Sequence, residues 1–350
     1  MGWHSRVVGG GLNASAWVFF ALSLAIPSGY SYGSVGLLLF ALLGAGILFR
    51  QQLPRLTWWL IALFVLMGLL WAMKFDGFGT WTGSDYLLKY WLAALTLAIV
   101  TLWGVRPAAV AWGVSAGAVS ALGIAAYQYV VLGWDKAWGF TNAIQFGGLA
   151  MYLGIAAWCW ALFTSQRWYW TALMWLCGAC GVMASLLSET RGAWVVAPLL
   201  LLCVLIVLCR QGRVRWAVSA VVAAVVMVMA AVVPFAEKFE SRAVQAVHEF
   251  ERYAENPQQA AVTSVGQRLE QWRVAALMIR EQPIAGWGVD GLIEKKQALV
   301  EQGRAHASIM EYGHAHNEIL DMWAKRGLLG LVLLLLFYAV PLAIFWPTRA

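Results

Sequence analysis

The sequence predicts an all-α polytopic membrane protein, with about ten or more transmembrane helices and one large helical loop on the outer face. Three observations predict it. Of the 350 residues, 62% are hydrophobic and only 12% are charged, against about 25% charge in a soluble domain. The apolar residues fall in runs of about 17–25, long enough to cross lipid as helices and without the alternation of a barrel strand. One long polar segment, residues 236–312, interrupts this pattern late in the chain.

Taken in order, the runs place spans at residues 14–26, 35–49, 57–73, 86–103, 108–132, 147–163, 170–187, 194–208, 216–234 and 327–346. The first two are short, as a tilted or broken helix would be. Arginines mark one side of the alternating loops, among them Arg6, Arg50, Arg106, Arg167 and Arg210, whereas the other side's short loops hold Lys74, Lys89, Lys136 and Arg191. Positive residues stay inside, so the N-terminus is cytoplasmic and the insert faces outward. No cleavable signal peptide is expected, because the first run is simply the first of many spans. The net charge of +7 sits in loops, which suits anionic lipid or phosphate rather than nucleic acid. All five cysteines fall in or at the end of apolar runs. Cys177-Gly-Ala-Cys180 therefore reads as packing and not as a redox motif.

The insert itself reads as helical. Residues 238–253 alternate charge and apolarity at helical spacing, and Ser264-x-x-Gln267 looks like a capping box. That box opens a helix to Glu281, ended by Pro283. Leu269, Trp272, Ala276 and Ile279 would form its apolar face, with Arg268 and Arg273 elsewhere. Gly286-Trp-Gly288 is a turn, and residues 292–302 form a further helix. Spans and insert divide as 1–235, the transmembrane region with about nine spans, 236–313, the outer loop, and 314–350, a site helix and its following span.

Three places on the outer face carry chemistry. Arg191 stands at a span edge, where a charge is costly and tends to be functional, although snorkelling to headgroups explains it as well. Arg268 is an arginine on a membrane-surface helix. Two such guanidiniums suit a diphosphate, since each can fork two oxygens. The third place is His314-Ala-His316-Asn317-Glu318, just ahead of the last span. A metal site, a structural role and general-base work all fit this pair. Two histidines two apart on a helix point about 200° from each other, so sharing a metal requires a non-helical pair. Asn317 as N-cap of a helix over residues 318–325 would set His316 at a positive helix end. That lowers its pKa and favours the neutral, proton-accepting form.

The order and placement of several motifs resemble the O-antigen ligase/polymerase superfamily of bacterial envelope glycosyltransferases. They are Thr190-Arg191-Gly192-Ala193 opening a span, Arg268-x-x-x-Trp272, Pro283-Ile-Ala-Gly286-Trp-Gly288, and His314-Ala-His316-Asn317 running into a span. Asn142 in the outer loop GFTNAIQFGG is similar to a family asparagine, with Ala143 where a proline often follows. The resemblance implies transfer of a glycan from undecaprenyl-diphosphate to an acceptor hydroxyl at the periplasmic face of the bacterial inner membrane. In the ligase branch the acceptor is the lipid A–core oligosaccharide. It further implies an enzyme without metal or cofactor, with Arg191 and Arg268 binding diphosphate and His316 activating the acceptor. His314, Asn317 and Asn142 would then be supporting residues. A polymerase or a protein O-oligosaccharyltransferase shares this layout. Two other classes are an envelope lipid transporter, for which Gly113, Gly117 and Gly123 in one span serve close helix packing equally well, and a metal-binding envelope assembly protein.

Overall fold

In a computed structural model of the chain, residues 3–72, 81–164, 167–189, 191–210, 212, 218, 221–222 and 236–346 are described. The long helices are α1 Trp3–Leu22, α2 Gly29–Leu43, α3 Arg55–Ala72, α4 Trp81–Trp103, α5 Pro107–Ala126, α6 Ala143–Phe163, α7 Trp168–Leu187 and α8 Arg191–Arg210. They continue with α9 Ala236–Glu255, α10 Ser264–Glu281, α11 Gly288–Glu301 and α12 Glu318–Phe345. No strand occurs among the described residues.

Among the described residues, six stretches are long and apolar enough to cross a membrane: Arg55–Ala72, Asp85–Trp103, Pro107–Val131, Ala143–Phe163, Trp168–Leu187 and Glu318–Phe345. The all-helical membrane class therefore holds. Of the four other expected spans, the first, 14–26, falls only partly in α1, which starts well before residue 14, carries His4 and Arg6, and ends at Leu22. The second breaks at Gly44, where α2 gives way to a 3-10 turn Ala45–Phe49, and α2 has only 15 residues. The eighth lies in α8, most of whose early side chains fall outside the described residues. The ninth, residues 216–234, lies almost wholly outside them.

The chain splits into two compact units. One comprises Met1–Leu53, Thr96–Ala231 and Pro347–Ala350, the other Pro54–Leu95 and Val232–Trp346. In the first, α5, α6 and α7 pack through small residues: Ala118, Ala121, Ala125, Ala150, Ala157 and Ala184 share one buried cluster. A Cβ on Gly154 would lie 2.7 Å from the Gly178 carbonyl oxygen, and one on Gly181 2.6 Å from that of Ala150. Close approach of backbones is what holds helices together in lipid, where the hydrophobic effect supplies no force. Gly113 and Gly117 serve α1 in the same way, whereas Gly123 faces open space.

In the second unit, α12 is two helices. Gly327 adopts φ 63, ψ −162, a backbone region essentially closed to other residues. The stub Glu318–Arg326 thus meets the apolar stretch at a break, where the sequence had placed one. Residues 283–288 fill the notch. Leu328 N–H donates to the Ile284 carbonyl at 3.2 Å and Trp287 N–H to that of Ala324 at 2.9 Å. The Arg326 guanidinium, itself buried, stands 5.0 Å over the Trp71 ring of α3.

The insert helices form as expected, with two corrections. The cap of α10 is Thr263, whose hydroxyl accepts from Gly266 N–H, because Thr263 is the extended residue (φ −79, ψ 162) and Ser264 is already helical. Gln267, freed from a capping box, bonds the Ser308 carbonyl and Glu311. The buried face of α10 is Glu270, Gln271, Val274, Ala275, Met278 and Ile279. The expected face of Leu269, Trp272 and Ala276 is rotated outward, because polar Glu270 and Gln271 find buried partners.

Gly327→Ala should therefore destabilise the protein by at least about 1–3 kcal/mol, since its Cβ would also overlap Ile284. Gly123→Ala, with nothing within 4 Å, should be neutral. Thermal unfolding in detergent compares the two, and equal midpoints would contradict the break at Gly327.

Candidate functional site

The second unit builds a site around the turn that precedes the stub. Asn317 (φ −149, ψ 111) is the N-cap of α12, and its Oδ1 accepts from Ile319 N–H at 3.1 Å and Leu320 N–H at 3.2 Å. Asp321, one turn in, accepts from Ala315 N–H at 2.9 Å with one carboxylate oxygen and pairs with Lys325 at 2.7 Å through the other. The turn is therefore stapled to the helix from both sides. Between these anchors His316 is forced to φ 52, left-handed backbone that costs a non-glycine residue about 1–3 kcal/mol.

That strain has a result. The two histidines are not helical, and their ring centroids lie 4.2 Å apart at 76°, with the Tyr312 ring 4.5 Å from His316. His316 N–H donates to His314 Nδ1 at 3.3 Å. This bond makes Nδ1 of His314 an acceptor and puts the proton of its neutral form on Nε2. The non-helical geometry that a shared metal would require is thus present. Among the described residues, however, no group of three His, Cys, Asp or Glu side chains is placed to hold one, and the Asp321 carboxylate is already engaged.

The His316 imidazole is held below its ordinary pKa. Partial burial is the largest cause, followed by the neighbouring His314, Arg268 and Lys296, with Asp321 opposing them. The direction is the one the helix-end argument requires, but burial and cationic neighbours account for it. Arg268 thus lies near enough to act on His316, and it is exposed, with no ion pair among the described residues. Arg273 on the same helix is different. Its guanidinium is forked by Glu270 at 2.8 and 2.6 Å and also bonds the Arg304 carbonyl. Of these two α10 arginines, Arg273 is committed to structure, whereas Arg268 is exposed and makes no ion pair among the described residues.

Lys296 is the residue that sequence reading missed. It is 3% exposed and donates to Gln271 Oε1 at 2.7 Å, the Tyr312 carbonyl at 2.9 Å and the Ile309 carbonyl at 3.4 Å. Burial pushes its pKa down to about 8, Asp321 pulling the other way. Its ammonium thus ties α10 and α11 to the segment that places Tyr312 under the histidines. The signal was a lysine in register with Leu292 and Leu299 on the buried face of α11.

The remaining predicted residues belong to the first unit. Asn142 caps α6, its Oδ1 accepting from Gln145 N–H at 2.9 Å. Arg191 opens α8, directly after the turn with Glu189 at φ 51; its side chain lies outside the described residues.

Residues 176–335 match the sequence model of the O-antigen ligase family, a stretch that contains Arg191, Arg268, His314, His316 and Asn317 but not Asn142. An O-antigen ligase of Escherichia coli K12 is 23% identical over 203 residues, 57% of this chain and 47% of that protein. An uncharacterized protein of Haemophilus influenzae is 25% identical over 343 residues, 95% of this chain and 84% of its own length.

Lys296→Met should leave the Tyr312 carbonyl and Gln271 Oε1 without the donor they share, at about 1–3 kcal/mol for each buried group left unsatisfied, while the Ile309 carbonyl keeps its bond from Gln271 Nε2. Trypsin should then cut at Arg304, in the adjoining loop, faster than in the unaltered protein. Equal resistance to trypsin would show that the lysine does not hold this segment.

Proposed function

We propose that this chain, whose residues 176–335 match the O-antigen ligase family model, is a membrane glycosyltransferase that moves a glycan from undecaprenyl-diphosphate to an acceptor hydroxyl. The acceptor in this reading is the lipid A–core oligosaccharide, at the periplasmic face of the inner membrane. One observation carries it: a histidine with depressed pKa, held in strained backbone at a capped helix end, beside an arginine with no ion pair among the described residues.

The chemistry asks for little more. A sugar hydroxyl is a poor nucleophile, and neutral His316 takes its proton as the oxygen attacks the anomeric carbon. The bond from that carbon to the diphosphate oxygen breaks, and undecaprenyl diphosphate leaves as an anion. A diphosphate is a good leaving group that needs charge stabilisation rather than an acid. Arg268 supplies that charge, and Arg191 is proposed for the same duty. The scheme uses no metal or cofactor. Polymerase or protein-glycosylating activity would use the same step with another acceptor.

His316→Ala should lower transfer by about 10²–10⁴-fold, the worth of a general base, while donor binding persists. Because the neutral imidazole is the active form, the rate should rise with pH through a value below the ordinary histidine pKa of about 6.5 and stay level above it. The variant should lose that acid limb, and full activity in it would remove the base assignment. Chelator should leave the rate unchanged, whereas loss restored by zinc would favour a metal role for the histidine pair.

Arg268→Ala and Arg191→Ala should each weaken donor use by about 1.5–3 kcal/mol, the range for hydrogen bonds to charged groups. Lysine should rescue only in part, since it keeps the charge and loses the fork. Normal donor turnover in both alanine variants would end the diphosphate assignment. Purified protein given undecaprenyl-diphosphate glycan with lipid A–core, free glycan or peptide acceptors separates the three transferase readings.

A further inference from the structure

Helix α9 is amphipathic in an unusual sense, because polar side chains make its contacts with the rest of the unit. Glu249 is 5% exposed. It accepts from Gln245 at 2.8 Å and from Val265 N–H at 2.9 Å, and Tyr253 donates its hydroxyl to Glu270 on α10. The tyrosine is pushed up to about 12 by burial and by that carboxylate, so it remains a donor. The apolar residues are left outside: Val247 and Phe250 are each 56% exposed and Val244 50%. Val247, Phe250 and Ala254 recur at a spacing of three and four residues, which sets them on one stripe of the helix, and the sequence repeats that spacing back through Ala243, Phe239 and Ala236. His248 and Arg252 are exposed on another face.

We infer that this stripe of α9 seats in the surface of the lipid bilayer. Three features of the same chain point to lipid rather than to a second copy or a soluble partner. In the sequence, the apolar run 216–234, long enough for a span, leads directly into Ala236. The unit holding α9 also holds two stretches long and apolar enough to cross a membrane, Arg55–Ala72 and Glu318–Phe345. Ile284, 76% exposed, belongs to the loop that bonds Leu328 N–H at the start of the apolar part of α12. A helix with an apolar stripe and a charged face, next to a span, has the character of an interfacial helix.

Such seating has a consequence for the neighbouring helix. α9 holds α10 by the Tyr253–Glu270 and Glu249–Val265 bonds, and Arg268 lies between those two contact points. Lipid contact along α9 fixes the level of Arg268 relative to the headgroup plane, where the diphosphate of a lipid-linked substrate lies.

A nitroxide on Val247→Cys tests the inference, in a variant lacking the native cysteines and reconstituted in nanodiscs of phosphatidylethanolamine with some phosphatidylglycerol. Arg252→Cys serves as the reference on the polar face. Oxygen, which concentrates in lipid, should broaden the Val247 signal several-fold more than a water-soluble nickel chelate does, with the reverse at Arg252. Chelate access at Val247 would put the stripe in water and overturn the inference. Shielding from both probes would mean a protein partner or second copy and overturn it equally. Val247 is exposed, so the label leaves the fold intact, and the readout needs no glycan transfer. Its failure is thus separate from any failure at His316.

Discussion

The second unit depends on one backbone contact, the close approach of Gly286 to Gly327. A Cβ at either glycine would overlap the other segment, and both residues have positive φ. The contact lets the loop over residues 283–288 slot into the break of α12 and use groups the break exposes. Leu328 N–H and the Ala324 carbonyl would otherwise be left without partners at a helix interruption. The Trp323 indole adds a bond to the Pro283 carbonyl at 3.0 Å, and the Trp287 indole one to the Met278 carbonyl at 2.9 Å. The helix stub behind the histidines is thus pinned to α10 by a loop that makes no direct claim on chemistry. The Pro-Ile-Ala-Gly-Trp-Gly motif is a structural clamp: no side chain fits at Gly286, and Gly288 takes a positive φ.

Electrostatics then sorts the polar residues of the unit. Glu270 draws in Arg273, Tyr253 and the His306 N–H. Those contacts hold its carboxyl below the usual range despite burial, while the Arg273 pKa is raised by the same pairing. Lys296 is spent on carbonyls. Arg268 stays exposed with no ion pair among the described residues, and the His316 ring near it makes no hydrogen bond among them. A second carboxylate beside Arg268 would have converted it into another Arg273.

Much of this was legible in the sequence where a local rule decides it. The asparagine cap, the break at Gly327 and the bounds of α10 follow from capping chemistry, glycine and proline. The rotation of α10 was not legible, because its buried face contains Glu270 and Gln271, residues that composition sends to the surface. Only distant partners, Tyr253 and the Ile309 carbonyl, make their burial tolerable. The role of Lys296 escaped for the same reason, although its place in register with leucines was visible. The non-helical histidine turn was weighed only as a condition for metal. Its cause lies in the Asp321 bond to Ala315, six residues away.

That turn also decides which histidine has the better claim to act as a base. His314 accepts a hydrogen bond at Nδ1 from the backbone of His316, so taking a proton there would break a bond that shapes the turn. It retains only Nε2, already protonated in the neutral tautomer, and is therefore a poor acceptor. The His316 ring makes no such bond among the described residues and is oriented by ring contacts with Tyr312 and His314. Both of its nitrogens keep their chemistry, and its depressed pKa keeps one of them free of a proton near neutrality. The left-handed backbone at His316 gives its neighbour a fixed tautomer and leaves its own ring unencumbered. In the proposed reaction, the strained residue is therefore the better placed of the two to accept a proton.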